Sequence, residues 1–206
     1  MAMSMGKAHS SLLFAVAFSL SFYGQATADE LRCEGPFALD TTHAKLVTAF
    51  GAKNVSREII YGPEGVTFKA SVVFGKDTAR RLEVIWDDEK AGKRPARIHF
   101  SGTGWSIGNN LHVGSLLAEV EAANARPFTL YGFEWDFGGM VSSWKGGALE
   151  KLPGGCAAVA HFEEDQNSAE EALTKAAGDH EFSSQDAAMK AVHPKVMVLG
   201  VQYSRK

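Results

Sequence analysis

Apolar and polar residues alternate with a period of two from Val66 to Phe74, where Val66, Phe68, Ala70, Val72 and Phe74 are interleaved with Thr67, Lys69 and Ser71. The pattern predicts a half-buried strand. Gly75-Lys76-Asp77 reads as a turn, after which Leu82, Val84 and Trp86 repeat the alternation. The charged stretch Asp87 to Arg94 predicts a solvated loop and Ile98 with Phe100 a third strand, so consecutive antiparallel strands are expected. A helix precedes them: Asp40-Thr41-Thr42 offers capping oxygens, Leu46, Val47 and Phe50 supply one apolar face, and Gly51 stops it.

A second helix is expected from Val113, Leu116, Leu117 and Val120, ending before Pro127. Phe128 to Phe137 and Met140 to Trp144 predict two strands joined at Gly138-Gly139. Helix followed by strands thus occurs twice, which suggests a degenerate internal duplication. Further on, Ala157 to Phe162 predicts a strand. Ser168 and Glu171 have capping-box spacing ahead of Ala169, Ala172, Leu173 and Ala176, and Gly178 closes that helix. Ser184 to Val192 predicts one more helix, ended by His193-Pro194, and Lys195 to Tyr203, apolar on both faces, is expected inside a sheet. The fold class that follows is α+β: one domain over residues 29–206, with a mainly antiparallel sheet and helices packed on one face. Its possible sub-units are 35–101, 109–150 and 157–203.

The start of the chain stands apart from this scheme. Lys7 precedes the apolar run Leu12 to Tyr23, which is too short to span a bilayer as an ordinary helix, and Ala26-Thr27-Ala28 is a small-residue cleavage site. Residues 1–28 are therefore expected to be a secretory signal peptide cleaved after Ala28, with an uncleaved anchor as the competing reading. Cys33 follows Asp29, Glu30, Leu31 and Arg32, unlike a lipid-accepting cysteine. A periplasmic or secreted protein is expected, without stable membrane insertion after cleavage. Lys7 is the only charged side chain of the leader, so 20 basic groups face 24 acidic ones in the remainder. That balance argues against a nucleic acid or an anionic membrane held by bulk charge. Both cysteines, Cys33 and Cys156, lie in the exported part, where an oxidising compartment lets them pair; two buried thiols are the alternative.

Several constellations could carry chemistry. Gly104-Trp105-Ser106-Ile107-Gly108 matches the nucleophile-elbow pattern, and chain order allows a triad of Ser106, Asp136 and His161. That chemistry needs a strained strand-to-helix turn in a parallel sheet, whereas the strands before Ser106 read as a meander, so an incidental loop is the simpler reading. Glu134 and Asp136, two apart on an expected strand, would share one face, open to acid and base work or merely solvated. His43, His99, His112, His161, His180 and His193 show no zinc-binding spacing, and neither a metal nor a cofactor is expected. The densest feature runs from Tyr131 to Gly139 and on through Ser142 to Gly147. By period two, Tyr131, Phe133, Trp135 and Phe137 share one strand face, which predicts core. The functional alternative is an aromatic platform around Tyr131 and Trp135, with Trp105 or Trp144 nearby, that stacks on a sugar ring or a partner's side chain.

With these residues laid out, Gly35 to Leu149 resembles a group of uncharacterised exported bacterial proteins. The resemblance rests on Phe50-Gly51, Trp86, the Asn124-to-Phe128 segment, Gly132-Phe133-x-Trp135-Asp136 and Trp144-Lys145-Gly146-Gly147. It implies export and no particular activity. In outline the helix-plus-strands unit is also similar to modules of the β-lactamase-inhibitor-protein and outer-membrane-assembly-lipoprotein type, a fold-level analogy that carries over no site residue. The lipobox of the lipoprotein members is missing. The expected function is a soluble exported binding or interaction module that contacts an envelope protein or a glycan; the alternative is a cell-envelope hydrolase using Ser106 or the Glu134/Asp136 pair.

Overall fold

The computed structural model describes Met1 and residues 28–204, so the expected signal peptide and its apolar run lie outside the described residues. A two-residue strand, β1 (Asp29–Glu30), opens the described chain, followed by helix α1 (His43–Phe50). Thr42 caps α1 by accepting a hydrogen bond from the Lys45 amide, and Gly51, with φ of 85°, ends it. Strands β2 (Val55–Tyr61), β3 (Thr67–Val73), β4 (Leu82–Asp88) and β5 (Lys93–Phe100) then form an antiparallel meander. Within this meander the alternation did not announce β2, because Ile59 and Tyr61 face solvent on the same side as charged Arg57.

After the short strands β6 (Trp105–Ile107) and β7 (Leu111–His112) comes α2 (Leu117–Asn124). Val113 precedes the helix instead of joining it, and the Glu119 carboxylate accepts from the Leu116 amide at its start. Strands β8 (Thr129–Tyr131) and β9 (Val141–Ser143) pair antiparallel, and β10 (Cys156–Glu163) follows. The chain closes with α3 (Glu170–Ala176), β11 (Glu181–Ser183), α4 (Ala187–Ala191) and β12 (Lys195–Tyr203). The spacing of Ser168 and Glu171 makes no capping box: Ala169 takes the cap position and the Ser168 hydroxyl is buried without a partner.

The strand expected over Phe128 to Phe137 ends at Tyr131. Glu134 adopts a φ of 68°, which no strand residue can, and residues 132–140 form a loop. That loop returns to β10: the Phe162 amide donates to the Gly139 carbonyl at 2.9 Å, and Met140 bridges His161. It thereby covers part of an edge that would otherwise be open to pairing.

The principal sheet has six antiparallel strands in the order β10-β12-β5-β4-β3-β2, with smaller sheets β1-β6-β7 and β11-β8-β9 beside it. As its composition indicated, β12 is internal. Leu46 of α1, Leu117 and Val120 of α2, Ala176 of α3 and Met189 of α4 all join one core with Val84, Ile98, Phe100 and Val201 of the sheet. Ile60, Ala70 and Val72, with Phe68 and Ile85, form a separate cluster on the opposite face, and no helical residue belongs to it. The molecule is therefore α+β, with one helix-covered sheet face and one open face. In β3 the apolar set lies on that open face. Ser71, read from the alternation as solvent-facing, is fully buried under α1, where its hydroxyl accepts from Trp86 Nε1 at 3.0 Å and meets His43 Nδ1 at 2.8 Å.

The segments 35–101 and 157–203 share this sheet, because β12 pairs with β5. Segment 109–150 repeats the first only in the order of helix and then strands; its β8 and β9 belong to a different sheet. No helix among the described residues is long and apolar enough to cross a membrane. Cys33 and Cys156 form a disulfide, Cα atoms 6.3 Å apart and 123 residues apart in sequence, as expected of an extracytoplasmic chain. Replacing both cysteines by serine is expected to lower the unfolding free energy by about 2–5 kcal/mol. Urea unfolding checks this, and the oxidised protein treated with reductant should match the variant.

Candidate functional site

Successive side chains on a strand point to opposite faces, so the register of the central strands fixes what the open face carries. Val159 on β10, Gly200 on β12, His99 on β5 and Glu83 on β4 lie in one row across it. In the next row, Arg97 stands between Gln202 of β12 and Ile85 of β4. At Gly200 a Cβ would collide with the Ile98 carbonyl and with His99 of β5. The β2–β3 hairpin, through Ile60 and Phe68, and Met140 from the loop complete a groove of about 310 Å³, at the lower end of small-molecule sites.

Charges on this face are unevenly satisfied. Arg81 pairs with Glu83 at 2.9 Å and with Glu58 at 3.0 Å, and His99 Nε2 lies 3.0 Å from the Glu83 carboxylate. The hydrogen bond with His99, then Arg81, holds Glu83 below the usual carboxylate range. His161 Nε2 hydrogen-bonds the Gly138 carbonyl, and burial keeps its imidazole below the ordinary histidine range. Arg97 differs: half-buried, its guanidinium meets no carboxylate and no hydrogen-bond partner among the described residues. Burial alone pulls it below the usual arginine range.

The aromatic positions separate into two groups. Trp105 and Trp144 are interior, 3% and 5% exposed, with indole N–H groups donating to Arg80 and Ala158 carbonyls at 2.7 and 2.8 Å. Neither ring has a face free for a ligand, which removes both from the expected platform. Phe133 is buried as well. Trp135, Tyr131 and Phe137 remain half-buried in an edge-to-face group, with centroids 5.4 Å and 5.3 Å from the central indole. They do not share a strand face; the turn at Glu134 and the bond from Trp135 Nε1 to the Gly132 carbonyl gather them. Met140, at the far end of this loop, lines the groove.

The candidate catalytic groups are not assembled. Ser106 is buried in β6, between β1 and β7, on a strand and not on a strand-to-helix turn. No hydrogen bond among the described residues links Ser106, Asp136 and His161. Glu134 and Asp136 are exposed in the loop and not aligned on a strand. No group of three or more His, Cys, Asp or Glu side chains that could hold a metal ion occurs among the described residues. No protein-family model, curated protein or solved structure matches the chain.

Sequence reasoning missed Arg97. In Arg97-Ile98-His99-Phe100 the polar residues alternate with core residues and read as a solvated face. The available signal was β12, apolar on both faces, whose neighbours cannot present a fully solvated second face.

Two expectations follow. Trp105→Ala and Trp144→Ala should each cost about 3–5 kcal/mol in chemical denaturation, and Trp135→Ala about 1 kcal/mol. His43, like His161, is held below the ordinary histidine range chiefly by burial. The unfolded chain takes up these protons before the folded chain does. Stability is therefore complete above about pH 6.5 and declines as pH falls through that value towards the lowered folded values. Unfolding free energies measured from about pH 7.5 to 5 should decrease, with a shallower slope in His161→Gln.

Proposed function

We propose that this chain is an exported, non-enzymatic binding module that takes its ligand on the open face of the six-stranded sheet, beside the loop 132–140. Export with cleavage after Ala28 is supported by Lys7, the apolar run Leu12 to Tyr23, the Ala26-Thr27-Ala28 site and the long-range disulfide. The observation that carries the binding reading is the groove: a sheet face without helical cover, lined by apolar side chains around an arginine that has no partner. Trp135 stands in the loop whose last residue, Met140, lines the groove, and Tyr131 ends β8 just before it; an envelope protein or a glycan would add contacts there. The hydrolase alternative has no assembled set of groups to support it.

Two-dimensional NMR of the isotopically labelled, oxidised protein tests the reading, with low-molecular-mass envelope extract as titrant. Saturable amide shifts centred on Ile85, Arg97, His99 and Val198 are expected. Shifts confined to the surroundings of Ser106 or of Glu134 and Asp136, or covalent labelling of Ser106 by a fluorophosphonate, would overturn it.

A further inference from the structure

Resting on the open-face reading, we infer that the groove is a site for a small apolar monocarboxylate, with the Arg97 guanidinium as the anion anchor. The charge pattern on the face carries this. Glu83 and Glu58 are already bound by Arg81, and Glu83 also by His99, so both of these carboxylates are occupied. Among the groove's side chains Arg97 keeps its guanidinium donors unused, and His99 Nδ1 is likewise without a partner among the described residues. A guanidinium presents a planar fork that fits a carboxylate through two parallel hydrogen bonds, and such bonds strengthen where water is partly excluded.

The remaining lining fixes the rest of the ligand. Ile60, Phe68, Ile85, Met140 and Val198 surround the cation with hydrocarbon, so an anion fits only if its other end is apolar. The charge of the site favours one negative charge over two. Burial holds His161 below the ordinary histidine range, Arg81 is taken up by Glu58 and Glu83, and Arg94 lies in an adjoining groove beside Asp87 and Glu89. A phosphate dianion would lack the second cation it needs. The volume of about 310 Å³ suits a compact acid, an arylalkyl or medium-chain carboxylate, better than a long lipid tail.

The groove residues also explain why an arginine stands unpaired at the centre of a sheet. A half-buried charge without a partner weakens the free protein, and such cost is typical of a site shaped for a ligand. Arg97→Met should therefore leave the melting temperature unchanged or raise it.

The test uses the purified, oxidised protein with 3-phenylpropionate and octanoate as probes, each against its primary amide, by calorimetry and NMR titration. The acids are expected to bind at least about tenfold more tightly than the amides, with shifts at Ile85, Arg97, His99 and Val198. Arg97→Met should remove that preference by weakening acid binding about tenfold and leaving the amides unaffected. Equal binding of acid and amide at the open face would overturn the anion assignment while the open-face reading stands. Tighter binding of a short peptide through its free C-terminus, abolished by amidation, would overturn the small-acid assignment in favour of a peptide. Absence of shifts on the open face with every probe would overturn this inference. The open-face reading fails separately if the envelope extract leaves that face unchanged too. The acid-against-amide comparison on the unmodified protein decides the matter even if Arg97→Met does not fold.

Discussion

The last strand of the chain, β12, is inserted between β10 and β5, and the rest of the architecture depends on that pairing. It joins a meander made early in the chain to β10, made late, so neither segment has a complete sheet without it. The pairing is possible because β12 is apolar on both sides and because Gly200 lets its backbone approach β5 without a side chain intervening. Long-range pairing of this kind carries a large loop-closure entropy. The Cys33–Cys156 bridge ties the entry segment to the start of β10, and beside it the Tyr203 hydroxyl, on the residue paired with Cys156 at the end of β12, donates to the Phe37 carbonyl. The two ends of the described chain thus meet over one sheet.

Beneath the helix-covered face, a few polar groups position larger elements. Ser71 receives the Trp86 indole and meets His43, which sets α1 against β3 and β4. Asn124, fully buried at the end of α2, donates to the carbonyls of Arg126 and Trp144 at 3.0 Å and accepts from the Leu149 amide at 3.2 Å. Trp144 in turn donates to Ala158 of β10. These bonds account for the spacing of Asn124 and the Trp144-to-Gly147 segment: the residues form a latch from α2 to the principal sheet. Buried groups of this kind are costly when left unpaired, so the latch specifies one arrangement.

The open face obeys a different constraint. Ile85, Arg97, His99 and Val198 project from it because period two leaves them no alternative once Val84, Ile98, Phe100 and Leu199 are committed to the core. What they meet there is set by neighbours distant in sequence: the β2–β3 hairpin, Met140 and β10. Glu83 found two partners in that environment and Arg97 found none, which distinguishes a structural ion cluster from the proposed ligand anchor.

Much of the fold was legible in local pattern. The cap at Thr42, the stop at Gly51, the alternation in β3 to β5 and the two-sided apolar character of β12 each follow from backbone geometry and burial within a few residues. The pairing of Cys33 with Cys156 needed only an oxidising compartment and the absence of any other cysteine. The aromatic segment misled because period two continues through Tyr131, Phe133, Trp135 and Phe137, while the turn at Glu134 sends the chain back to β10. The sequence by itself determined the α+β class, the internal strand and the elements flanking the turn at Gly75-Lys76-Asp77, since these rest on local periodicity and turn chemistry. Only the tertiary structure decided which face of the sheet the helices cover, that Trp105 and Trp144 are interior, and that Arg97 stands without a partner. Those outcomes depend on which distant segments come to lie opposite one another, and no single stretch of chain encodes them.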